Sequence, residues 1–117
     1  MFRSILRLAL LCGTLSSPVA QSAALSCTGT LTDVANSAAG ELRIKPSWRG
    51  DWITLCSTAV VLNGVQTEAC KRWQAQALAA QLTAANTWVQ YDNPVAPSCA
   101  TMGTLGNADR PGYLVTY

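Results

Sequence analysis

The stretch Thr67–Asn86, TEACKRWQAQALAAQLTAAN, decides how the rest of the chain is read. Alanine occupies positions 69, 75, 77, 79, 80, 84 and 85, and no proline or glycine intervenes, so helix propensity is high throughout. Thr67 is the expected N-cap, and Glu68 falls in the first turn, where the helix dipole favours an anion. At about 100° per residue, Ala69, Trp73, Ala77, Ala80 and Ala84 form one stripe, and Ala75, Leu78, Leu82 and Ala85 a second. Gln74 and Gln81 lie between them, while Arg72, Gln76 and Thr83 share the polar face. Two apolar stripes imply contacts on two sides. One side is then open to a neighbouring subunit, which makes a homo-oligomer one reading. Partial exposure of small alanines is the other.

Strands flank this helix. Upstream, Thr28–Val34 reads as a first strand and Asn36–Gly40 as a turn. Glu41-Leu42-Arg43-Ile44-Lys45 alternates charged and apolar residues, the mark of a half-buried strand. Residues 46–51 connect it to Trp52-Ile53-Thr54-Leu55-Cys56, the third strand. Val60-Val61-Leu62 adds a further short strand, and Asn63-Gly64 marks a tight turn. Downstream, Thr87-Trp88-Val89-Gln90-Tyr91 is a strand, 93–106 is irregular, and Tyr113–Tyr117 is the last strand. The order predicts a mostly β chain with one helix: a small five-stranded OB-like barrel, the helix between strands 3 and 4. The alternative is an α+β arrangement with the helix on one face of an antiparallel sheet.

The first segment stands outside this domain. Arg3 and Arg7 precede the apolar stretch Ile5–Leu15, Pro18 ends it, and Ser22 and Ala24 occupy the −3 and −1 positions of a signal-peptidase site before Leu25. Residues 1–24 are therefore read as a signal peptide and 25–117 as a single exported domain, periplasmic or extracellular. The apolar stretch is far short of the ~20 residues that span a bilayer, so no membrane span is expected. A lipoprotein signal with Cys27 as the acylated residue is a competing reading.

Removing residues 1–24 takes away Arg3, Arg7 and Cys12, leaving six basic and six acidic residues and no net charge. Lys71-Arg72 is then the one adjacent basic pair, so nucleic acid is not an expected partner. Four cysteines remain, Cys27, Cys56, Cys70 and Cys99, and in an exported domain they imply two disulfides with three possible connectivities. We favour Cys56–Cys70, tying a strand to the helix start, and Cys27–Cys99, tying the first strand to the C-terminal region. In the chain-entropy account the smaller ring contributes about 3 kcal/mol and the larger about 4 to 5.

Chemistry is poorly provided for. With no histidine in the chain, a Ser-His-Asp triad, a Cys-His dyad and imidazole zinc sites are excluded. No phosphate loop, calcium loop or carboxylate pair is marked by spacing. The chain is read as not an enzyme, with no metal and no cofactor. Trp48-Arg49-Gly50-Asp51-Trp52 is the candidate binding segment: two tryptophans offer a stacking surface for a sugar, and Arg49 and Asp51 offer hydrogen bonds to hydroxyls. Closure of one end of the core by the tryptophans is the competing reading. Tyr91-Asp92-Asn93 and the loop to Gly106 form a second candidate surface.

The run Trp52–Cys56, then Ala69-Cys70-Lys71-Arg72-Trp73, then an Ala/Leu helix leading into Trp88-Val89-Gln90-Tyr91, resembles the B subunits of bacterial AB5 toxins. The subtilase-cytotoxin and pertussis-like group is the most similar. The resemblance covers roughly residues 41–92. It implies an OB-fold, a strand-to-helix disulfide and a second, longer-range one, and it carries over no sugar-contacting residue. The expected function is a non-enzymatic exported binding module for carbohydrate. A periplasmic protein-interaction or inhibitor domain with no sugar affinity is the alternative.

Overall fold

The computed structural model describes Gly13 and residues 24–117. The expected signal peptide, residues 1–24, lies outside the described residues apart from Gly13 and Ala24. The elements follow as β1 (Leu25–Asn36), β2 (Glu41–Pro46), β3 (Ile53–Ser57), α1 (Thr67–Thr83), β4 (Asn86–Tyr91) and β5 (Pro111–Thr116), with a 3-10 turn at Cys99–Thr101.

One long strand organises the sheet. β1 starts earlier than expected and serves two neighbours: Leu25–Thr30 pair with β4, and Leu31–Asn36 pair with β2. Between Leu31 and Asp33 the register shifts, and Thr32 donates its hydroxyl to the Lys45 carbonyl at 2.7 Å. An extra residue on one strand bends it, which lets a single strand turn from one partner to the other. The full order is β3-β2-β1-β4-β5, every pair antiparallel.

β3 and β5 are the two edges, so the sheet is open. The mostly β chain with one helix is one helix packed on an open five-stranded antiparallel sheet. Closure by a ladder needs β3 and β5 side by side, whereas α1 packs against both of them and Leu105 bridges to Ile53 instead.

The core lies between sheet and helix. Leu42, Ile44, Ile53, Leu55, Val89, Tyr91, Met102 and Leu114 are buried together, with Ala77 and Ala80 of α1 set against them. The first helical stripe does most of the packing: Ala69 and Trp73 also lie on the core, whereas of the second stripe Ala85 packs there and Leu78 and Leu82 are exposed. Methyl-sized side chains at 77 and 80 let the helix sit close to the sheet. Gln74 and Gln81 reach Asn36 and Asp33 of β1.

Three local expectations change. Gln66, not Thr67, is the N-cap, and it makes no side-chain capping bond, so Thr67 is the first helical residue. The helix stops at Thr83, where Ala84 takes a left-handed conformation and Ala85 N–H reaches back to the Ala80 carbonyl at 3.1 Å. Val60–Leu62 forms no strand; Leu62 merely bridges Val65 across the turn.

Both favoured disulfides are present, Cys27–Cys99 and Cys56–Cys70. Cys27 is fully buried and its sulfur is committed to Cys99, which is incompatible with lipid attachment there. Among the described residues no helix is long and apolar enough to cross a membrane.

Candidate functional site

The Trp48–Trp52 turn between β2 and β3 is largely occupied in holding the domain together. Trp48 is half-buried, packs on the core and meets Tyr91 edge-on, with ring centroids 6.5 Å apart. Arg49 donates from Nε to the Met102 carbonyl at 2.7 Å, fastening the long β4–β5 connection. Asp51 is exposed and accepts the Trp52 N–H at 2.7 Å, while the half-buried Trp52 accepts Leu105 N–H at its carbonyl. Asp51 and the accessible part of Trp52 are what this turn offers to solvent.

A different place is hollow. A cleft of about 550 Å³ opens between the start of α1 and the start of β5, lined by Gly64, Val65, Gln66, Ala69 and Trp73 on one side and by Asp92, Asn93 and Arg110–Gly112 on the other. Its volume is in the range of small-molecule sites. The Cys56–Cys70 bond fastens the first turn of α1 to β3 and so anchors one wall. Trp73, on the packed stripe of α1, is half-buried and supplies an aromatic surface.

The opposite charges of the cleft are each positioned through a glycine. Asn63 and Gly64 both have positive φ, 52° and 68°, and Val65 N–H returns to the Leu62 carbonyl at 3.0 Å, which makes the expected tight turn. The Asn63 carbonyl accepts Arg110 Nε at 3.0 Å, and the guanidinium lies where a Cβ on Gly64 would be. The Asp92 carboxylate lies where a Cβ on Gly112 would be and accepts a hydrogen bond from Gln90 Nε2 at 3.1 Å. Neither Arg110 nor Asp92 is in an ion pair among the described residues, whose two salt bridges are Arg43–Glu41 and Lys71–Glu68. Both charges are thus free to meet a ligand.

The long connection from β4 to β5 is firmly held. Asp109 accepts the Val95 and Ala96 N–H groups at 3.1 and 2.8 Å, and Cys99 is bonded to Cys27. Burial and the nearby Asp109 charge push the Tyr91 phenol well above its usual range, and its hydroxyl has no hydrogen-bond partner among the described residues. In the first turn of α1, the hydrogen bond and charge of Lys71 hold the exposed Glu68 carboxyl below its ordinary value.

Sequence reasoning marked Asp92 and Asn93 but missed Trp73 and Arg110. Trp73 falls on a stripe that periodicity assigns to the core, which is also true of it. Arg110 is aimed by a carbonyl 47 residues away. The glycines at 64 and 112 were the available signal, since each sits where the backbone must admit a charged side chain. Among the described residues no three His, Cys, Asp or Glu side chains gather as a metal site would require.

Compared with protein-family models, with curated proteins and with solved structures, the chain gives no match.

Proposed function

We propose that this chain is an exported, non-enzymatic binding module of OB type that holds a carbohydrate in the cleft between α1 and β5. The observation that carries the reading is the cleft itself: an aromatic face from Trp73 beside an unpaired cation, an unpaired carboxylate and the Asn93 amide. Sugars present apolar ring faces and a rim of hydroxyls, and such a mixture of stacking and hydrogen-bonding groups complements both. Asp51 and Trp52, on their own turn, serve as an accessory contact, while Trp48 and Arg49 support the domain from within.

The OB assignment rests on the strand order, on β1 shared between two ladders, and on a helix that packs against both open edges. A partly open barrel is common in that fold. Export rests on the signal-like residues 1–24 and on two disulfides, which persist in oxidising compartments. The resemblance of residues 41–92 to AB5 toxin B subunits supports the carbohydrate class.

A glycan array probed with the processed protein tests this. Binding above background to a defined set of glycans is expected, lost in Trp73→Ala and Asp92→Ala and kept in Trp48→Ala. An array with no binder would overturn the carbohydrate reading, and a single stoichiometric protein recovered from periplasmic extract, with binding weakened by the same substitutions, would favour the protein-interaction alternative.

A further inference from the structure

Arg110 and Asp92 are the charged residues that line the cleft, and the protein leaves part of each unused. Arg110 engages only its Nε, with the Asn63 carbonyl, and its two Nη groups have no hydrogen-bond partner among the described residues. Asp92 accepts a hydrogen bond from Gln90 at Oδ1, while Oδ2, set against Gly112, accepts none among the described residues. The two side chains form no ion pair with each other. Neighbouring charges are already committed: Glu68 and Lys71 pair at 2.9 Å, and Asp109 holds the Val95 and Ala96 N–H groups.

A ligand that fills the cleft takes both groups partly out of water. A charge covered in this way is costly unless a counter-charge or several hydrogen bonds replace the water. A neutral sugar answers both groups with hydroxyls alone. A singly charged sugar leaves one of the two without its counter-charge. The free Nη pair of Arg110 is the planar fork that a carboxylate fits, and the free Oδ2 of Asp92 is an acceptor for an ammonium.

We propose that the cleft selects a zwitterionic saccharide, one that carries a free amine and a carboxylate. Arg110 takes the carboxylate, Asp92 the ammonium, and Trp73 the apolar face of the ring. The proposal rests on the carbohydrate reading of this cleft and narrows it. Acylating the amine removes the positive charge, so Asp92 distinguishes amino from acylamino sugars. Arg110 distinguishes acidic from neutral ones.

Nuclear magnetic resonance titration of the processed protein with four related monosaccharides tests the selection. Muramic acid carries both charges, N-acetylmuramic acid only the carboxylate, glucosamine only the ammonium, and N-acetylglucosamine neither. Muramic acid is expected to bind tightest, by roughly tenfold over either singly charged sugar, the size of one charge-assisted contact. Asp92→Asn, which keeps an oxygen for Gln90, should lower muramic acid to the level of N-acetylmuramic acid. Arg110→Gln should lower it to the level of glucosamine. Both side chains are exposed, so both variants should be folded by circular dichroism. Equal binding of the four sugars, or a preference for muramic acid that survives both substitutions, would overturn the selection and leave the carbohydrate reading standing. So would array glycans that bind when none of the four does. A free α-amino acid that binds through Asp92 and Arg110, with no sugar bound at all, would overturn both.

Discussion

Trp48, Arg49 and Asp51 in the β2–β3 turn and Trp73, Arg110 and Asp92 around the cleft are the same three residue types put to different ends. In the turn each has found a protein partner: Trp48 has Tyr91, Arg49 has the Met102 carbonyl, and Asp51 has the Trp52 amide. Around the cleft, Trp73 faces a void, while Arg110 and Asp92 are oriented by Asn63 and Gln90 and leave their charges unpaired. Adjacency along the chain makes the first set conspicuous. Distance along the chain hides the second, although its members converge. Residue type therefore says little about binding until it is known which side chains the fold has already used.

The largest expected effect separates the two tryptophans. Trp48→Ala should cost about 3 kcal/mol, because it removes a ring packed on the core and leaves a hole. Thermal or urea unfolding would measure the loss, and glycan binding should survive in the folded fraction. Trp73→Ala should reverse the pattern, with binding lost at a smaller cost in stability. Equal stability losses with equal binding losses would break the comparison.

The arginines should differ next. Arg49→Ala removes a charge-assisted hydrogen bond that fastens a long connection, worth about 2 kcal/mol. Arg110→Ala removes an exposed side chain, so its unfolding midpoint should stay within about 0.5 kcal/mol of the parent. Its affinity should nonetheless fall. Parallel denaturation and binding titrations of the two variants would decide it.

Tyr91 offers a finer test of the packed region. Its folded-state acidity is weakened by burial and by the nearby Asp109 charge, so the native state keeps the phenol proton that an unfolded chain releases near pH ~10. The corresponding stability is present below that pH and falls as pH rises above it. Tyr91→Phe should abolish this alkaline slope and, by removing an unpaired buried hydroxyl, gain about 1 kcal/mol at neutral pH. Melting temperatures across neutral and alkaline pH would show both effects.

The smallest effect concerns the end of the helix that carries Trp73. Ala84 occupies a left-handed position that glycine fills more easily. Ala84→Gly should therefore raise stability by about 0.5 kcal/mol without touching the cleft, measurable as a small rise in the unfolding midpoint.

Much of the fold was legible. The alanine-rich run placed the helix to within a few residues, Asn63-Gly64 marked the turn, and even cysteines after removal of residues 1–24 pointed to two bonds that the structure contains. The site was legible only at Asp92 and Asn93. Trp73 was hidden because a half-buried tryptophan on a helix obeys the core periodicity whether its outer face meets protein or a cleft. Arg110 was hidden because its placement depends on a carbonyl in a turn far away in sequence.

What the sequence determined alone was local: where strands alternate, where the helix begins to pay no penalty for its alanines, and which cysteines are available to pair. These follow from dihedral preference, periodicity and composition, which act over a few residues. The tertiary structure decided that β1 bends at Thr32 to join two ladders, and that the sheet stays open with α1 against both edges. It also decided that one set of Trp, Arg and Asp is spent on packing while another rims a hollow. Those outcomes depend on which distant surfaces meet, and each side chain can be satisfied only once.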